Sequence, residues 1–459
     1  MIPAISLVLG LLFNYFFFNA ALGLAFPIFI ILTIVGLFAL ARFQQRQINR
    51  EVIWLLIPLL FFSVMVFVRS SELLTFLNVL ASVLLLMIIT EISFGHKLKN
   101  FLLSDYGNIF FLPLDFLRSL AVTLPKIFSL NQLKQKRETL SQVLKGIFIA
   151  IPVLVVFLIL FASADLIFQK YVLDFLSFNV EPETVIRTII VAIVTLVYIG
   201  AYAYTLAEKT PKPTKDKQPL NISQIETSIL LGSLNLLFLI FIIVQLTYLF
   251  GGESNISAQG FTYAQYARRG FFELIAVAIL SFFLLLTVHG KSLKSFSTAL
   301  VLQVLVIMTS AFTRLALYEA AYGFTTQRLY SHALIIFLAV VFFILLYKIH
   351  KDKKENAFAL RIFITTILFL ATMNFLNPDS FIARHNLARY NETGKIDLEY
   401  FNQLSADAIP DMLSAQKILP PDQLNSAANN LTKPYYTKWQ SLNVARWKAW
   451  KMIRRHEAN

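Results

Sequence analysis

Apolar runs of roughly 18 residues or more recur along this chain, each long enough to cross a hydrocarbon layer as a helix. About eleven spans can be placed, at 5–18, 22–41, 52–68, 73–92, 143–168, 185–206, 227–250, 271–288, 296–317, 332–347 and 358–376. A bilayer offers no water to backbone N–H and C=O groups, so only helices and closed barrels span it. The alternating ten-residue strands of a barrel are missing. The expected fold class is all-α: a polytopic helical membrane protein with a small helical C-terminal region. Asn19 and Gly23 interrupt the first 41 residues, which read either as two spans or as one long helix.

Composition supports this class and removes others. Of 459 residues, 57% are hydrophobic and 14% charged, against about 25% charged in a soluble chain. The net charge of +14 would suggest nucleic acid in a soluble protein. In a membrane protein, basic loops set orientation, and no nucleic-acid partner is inferred. There is no cysteine, which excludes disulfides and thiolate chemistry. The six histidines are scattered, so no metal site is read. P-loop, dinucleotide, zincin and nucleophile-elbow motifs are missing. No cofactor or catalytic residue is assigned, and the balance leans away from an enzyme.

The connections after the even-numbered spans hold Arg42, Arg46 and Arg50, then Lys97 to Arg137, Lys209 to Lys217, Lys291 and Lys294, and Lys348 to Lys354. The opposite connections are poorer in lysine. This pattern predicts a bacterial inner-membrane protein with its N-terminus in the cytoplasm and its tail outside. Two domains follow, a transmembrane bundle over 1–376 and a polar helical region over 377–459. Asn377 and Pro378 suit an N-cap and first turn for the tail's opening helix. The 438–455 segment combines tryptophans with basic residues and suits a helix resting on headgroups or on the bundle.

Charge at membrane depth is costly and marks a site or a structural pair. Two segments carry it, FTYAQYARRGFFEL from Phe261 and TRLALYEAAYGFTTQRLY up to Tyr330. They place Arg268, Arg269, Glu273, Arg314, Tyr318, Glu319, Tyr322 and Arg328 beside or inside apolar helices on the outer face. Arg314, Tyr318 and Tyr322 fall on one helical stripe. Glu319 lies off that stripe, with Arg328, Arg268 and Arg269 as the expected partners, and Gly323 marks a helix break. The tail adds Arg384, His385 and Arg389 over the same mouth. Guanidinium forks suit phosphate or carboxylate, so the group reads as a substrate-binding site. The same residues could equally form an ion-pair network that pins the helices.

These two segments and NPDSFIARHNLARY, with the Asn78-Val-Leu-Ala and Phe161-Ala-Ser-Ala-Asp165 stretches, resemble an uncharacterised bacterial multi-pass inner-membrane family. It is the domain-of-unknown-function 4153/4173 type. The resemblance covers nearly the whole chain and implies an inner-membrane protein with a polar C-terminal region. It implies no activity, substrate or catalytic residue. Three functions remain: transport or flipping of an anionic or lipid-linked substrate, a signalling or assembly role without catalysis, and an envelope transferase using a lipid-linked donor. The inferred partners are the bilayer and an anionic or phosphate-bearing lipid. No protein partner is read.

Overall fold

The computed structural model describes residues 1–94, 97–127, 182–206, 224–249, 271–287, 293–351, 354–414 and 438–457. All regular structure among them is helical. In chain order the α-helices are α1 (Ile2–Phe17), α2 (Ala25–Phe43), α3 (Arg50–Val68), α4 (Glu72–Ile92), α5 (Leu103–Asn108), α6 (Leu112–Ile127), α7 (Pro182–Leu206) and α8 (Gln224–Leu249). Then come α9 (Phe271–Thr287), α10 (Lys294–Tyr322), α11 (Thr326–Lys351), α12 (Glu355–Leu376), α13 (Pro378–Thr393), α14 (Leu398–Phe401), α15 (Ile409–Ser414) and α16 (Val444–Glu457).

Seven of the described helices are long and apolar enough to cross a membrane: α2, α3, α4, α7, α10, α11 and α12. Shorter apolar helices lie at Ile2–Phe17, Thr227–Ile243 and Leu274–Thr287. The protein is a multi-pass helical membrane protein. The first 41 residues form two helices, because Asn19 turns the chain with φ 52°. α10 and α11 extend beyond the expected 296–317 and 332–347 at both ends. The expected span at 143–168 lies outside the described residues.

Two apolar cores form within the bundle. One gathers residues of α1 to α4 and α7, including Leu59, Phe62 and Leu85. The other gathers α8 to α12 around Leu300, Val304 and Phe342. α12 belongs to both: Phe363, Ile367 and Leu370 pack on the first core, while Phe358 lies in the second. Near the tail-side ends of their helices, Asn78 of α4 and Asn374 of α12 are fully buried and exchange two amide hydrogen bonds, both 2.8 Å. Each amide satisfies the other where water is absent. α1 and α7 approach closely at Gly10, where a Cβ would lie 2.8 Å from the Val191 carbonyl oxygen. Small residues permit this kind of contact between membrane helices.

The tail has its own core, in which Ala383, Leu387, Phe401, Ile409, Met412, Ala449 and Ile453 meet. It seats on the loops at one end of the bundle. Leu24 N donates to the Leu442 carbonyl (2.8 Å) at the α1–α2 turn, and Trp439 packs on Tyr15 and Phe16. Asn443 donates to the Arg69 carbonyl (2.8 Å) at the end of α3. Asn377 joins α12 to α13 in the left-handed conformation, φ 52° and ψ 77°. As expected, Asn377 is the N-cap of α13 and Pro378 opens its first turn, although the Asn377 side chain makes no cap bond. The residue acts as a one-residue joint between two helices, a conformation asparagine tolerates better than most.

Candidate functional site

α10 ends at Gly323, whose φ of 81° and ψ of 175° are essentially open to glycine alone. The chain then crosses to α11 through Phe324 and Thr325. α13 and the 394–400 segment clasp this crossing. Phe324 N donates to Asn386 Oδ1 (2.7 Å), and Asn386 Nδ2 donates back to the Phe324 carbonyl (2.9 Å). Thr326 N donates to the Tyr400 hydroxyl (2.6 Å). Arg389 Nε donates to the Ala320 carbonyl (3.1 Å), Nη2 to that of Ala321, and Nη1 to that of Lys395 (3.1 Å). The last turn of α10 would otherwise present carbonyls without donors, and a cation suits that end of the helix dipole.

Under the clasp lies a cleft of about 120 Å³ whose polar lining includes Tyr322, Thr325, Arg328, Arg389, Lys395 and Tyr400, with Asp397 at its edge. The Arg328 guanidinium sits 4.0 Å from the centroid of Tyr318 and donates to the Gly323 carbonyl. Tyr318 and Tyr322 meet edge to face at 5.1 Å, as their helical stripe predicts. Arg314, on the same stripe, is buried. Three cations and one carboxylate are among its lining residues.

Of the partners expected for Glu319, Arg268 and Arg269 lie outside the described residues, and Arg328 does not pair with it. Glu319 Oε2 lies 2.9 Å from His332 Nδ1; the Glu319 side chain is buried and that of His332 partly so. Arg328 is engaged with Tyr318 and Gly323 instead. The His332 Nε2 faces the Phe312 carbonyl at 3.3 Å. Both ring nitrogens thus lie beside oxygen atoms. His332 was missed because an isolated histidine inside an apolar run carries no spacing signal.

The tail cations do not gather over the mouth as expected. Only Arg389 joins the cleft. Arg384 reaches Asp411 (3.6 Å), and His385 stacks on Phe381 at 3.8 Å while its Nδ1 meets the Phe381 carbonyl. Arg268 and Arg269 lie outside the described residues, as does the side chain of Glu273.

A second polar cluster joins the tail to the α3–α4 loop. Asp407 of the tail is buried against the α3–α4 loop, where it accepts from Ser70 N (2.6 Å), Ser70 Oγ (2.9 Å) and Ser71 N (3.2 Å). Arg69 Nη1 pairs with it at 3.4 Å, and Arg69 Nη2 donates to the Asn374 carbonyl (2.6 Å). Asp379 lies beside it, accepting from Ser405 N (3.1 Å). Burial pushes the Asp379 carboxyl above the usual carboxylate range, with the Asp407 charge adding to the effect.

A family model described as Domain of unknown function (DUF4153) matches residues 56–415. The chain belongs to this family. No curated protein and no solved structure matches it. The DUF4153 range opens inside α3 and closes just after α15. It therefore runs through residue 377 without a break and contains both Arg69 and Asp407. The clasped crossing and its cleft also lie within it. α1, α2 and α16 fall outside. Among the described residues of this DUF4153 protein, no group of three or more His, Asp or Glu side chains could hold a metal.

Proposed function

We propose that this DUF4153 protein sits in the bacterial inner membrane, tail outside, and captures the anionic headgroup of a lipid or lipid-linked substrate for transport or flipping. The observation that carries the binding step is the cleft, where Arg328, Arg389 and Lys395 face Asp397 alone at the seam between tail and bundle. Its volume suits one phosphate or carboxylate group rather than a whole lipid, so the acyl portion would remain in the bilayer. The basic loops supply the orientation. A reporter fused after Asn459 is expected to be active only outside the cytoplasm, and cytoplasmic activity would overturn the orientation.

Lys395 offers the cleanest test of binding, since its ammonium forms no ion pair among the described residues. K395Q should leave thermal unfolding unchanged and weaken binding of a short-chain polyprenyl monophosphate roughly three- to tenfold at low salt. K395Q/R328Q should weaken it further. Equal affinity of the double variant and the parent protein would remove the anion site. A second reading, an assembly or signalling protein without a substrate, is favoured by the way Arg389 and Arg384 are taken up by backbone carbonyls and by Asp411. Under that reading no affinity is lost, and R328Q acts on stability alone.

A further inference from the structure

At the far end of α11 from the cleft, a shallow groove of about 420 Å³ opens between α11 and α12. Val340, Phe343, Ile344 and Tyr347 of α11 line it, and Arg361 of α12 closes one end. Phe343 is 59% exposed and Tyr347 44%, so in a membrane this wall faces acyl chains. From Val340 to Tyr347 the groove follows about two helical turns, or roughly 10 Å of rise.

Arg361 is the anomaly. It lies six residues past Glu355, where α12 begins, which puts it roughly 9 Å along the helix axis. Its guanidinium stacks over the Tyr347 ring at 4.7 Å. Nη1 is closed off from the surroundings and finds no hydrogen bond among the described residues. A buried donor left without an acceptor is costly, more so when charged. The α11–α12 loop adds Lys351 and Lys354, both exposed, while Lys348 is occupied over Phe358 at 4.7 Å. Glu355 is the acidic residue in the first turn of α12.

We propose that this groove binds an anionic phospholipid of the leaflet bordering the basic loops. One acyl chain lies along Val340, Phe343 and Ile344, and the phosphate pairs with the groove-facing side of the Arg361 guanidinium rather than with the closed-off Nη1. The excess of lysine over acid at that end selects a lipid with net negative charge over a zwitterionic one. This site stands apart from the cleft under the tail and does not depend on it.

The test uses the full-length protein in a neutral detergent, stripped of lipid, with phosphatidylglycerol or phosphatidylcholine added back and bound lipid counted by native mass spectrometry. The parent protein should retain a phosphatidylglycerol that phosphatidylcholine does not replace at equal concentration. R361Q should lose that lipid, with affinity reduced roughly tenfold. F343W fills the groove without touching charge and should also lose it, which keeps the test decisive if R361Q fails to fold. Undiminished phosphatidylglycerol retention by either folded variant, or equal retention of phosphatidylcholine by the parent protein, would overturn the proposal.

Discussion

Replacing Asp407 by alanine should lower the stability of the purified protein by about 3–5 kcal/mol, the usual result of removing one partner of a buried ion pair. The Arg69 guanidinium would keep its bond to the Asn374 carbonyl but lose its counter-charge. The Ser70 and Ser71 amides would lose their acceptor. Thermal unfolding in detergent measures the loss, and limited proteolysis should show the tail released before the bundle opens. An unchanged midpoint would mean that Asp407 anchors nothing. Asp379, its neighbour, should behave in the opposite way. Its folded-state pKa is raised by burial, so the folded protein holds this proton more tightly than the unfolded chain. Stability from this group is therefore greatest at low pH and falls as pH rises from the unfolded carboxylate value, about 3.9, to the raised folded one. D379N keeps an acceptor for Ser405 N and should flatten that decline without a large loss at neutral pH.

Gly323→Ala should be the second costly change. The backbone there adopts φ 81° and ψ 175°, a region where a side chain carries a penalty of about 1–3 kcal/mol. A Cβ would also lie 2.7 Å from Asn386 Oδ1, the atom that accepts from Phe324 N. Relieving the contact means giving up the two-bond match between Asn386 and Phe324. The expected result is a lower unfolding midpoint together with faster cleavage at 323–326. Wild-type protease resistance in G323A would show that α13 does not hold the crossing.

The apolar runs were legible because hydrophobic length alone decides whether a helix can span a bilayer. The break after Tyr322 was legible too, since glycine is the residue for such backbone, and Tyr318 and Tyr322 fell on one stripe by helical arithmetic. Partner choice was not legible. Glu319 had several arginines near it in sequence, yet the turn at Gly323 brings α11 back along α10 and presents His332. Arg384, His385 and Arg389 looked like one cationic patch because they are close in sequence. On α13 they diverge, so one meets Asp411, one a phenyl ring and one the end of α10. Arg69, Ser70 and Ser71 gave no signal, because nothing local distinguishes a loop that receives a distant carboxylate from an ordinary polar turn. Arg361 was hidden inside a run counted for its length.

The Asp407 anchor also sets an order of events during synthesis. Ser70 and Asp407 are separated by 337 positions. At about 5–20 residues per second, a ribosome needs on the order of 20–70 s to cover that distance. Throughout this interval Arg69 stands at the newly made end of α3 without its carboxylate. The bundle's tail-side rim is thus closed only once Asp407 has been made, so a ribosome that stops before residue 407 leaves a membrane-inserted protein whose Arg69 lacks its carboxylate.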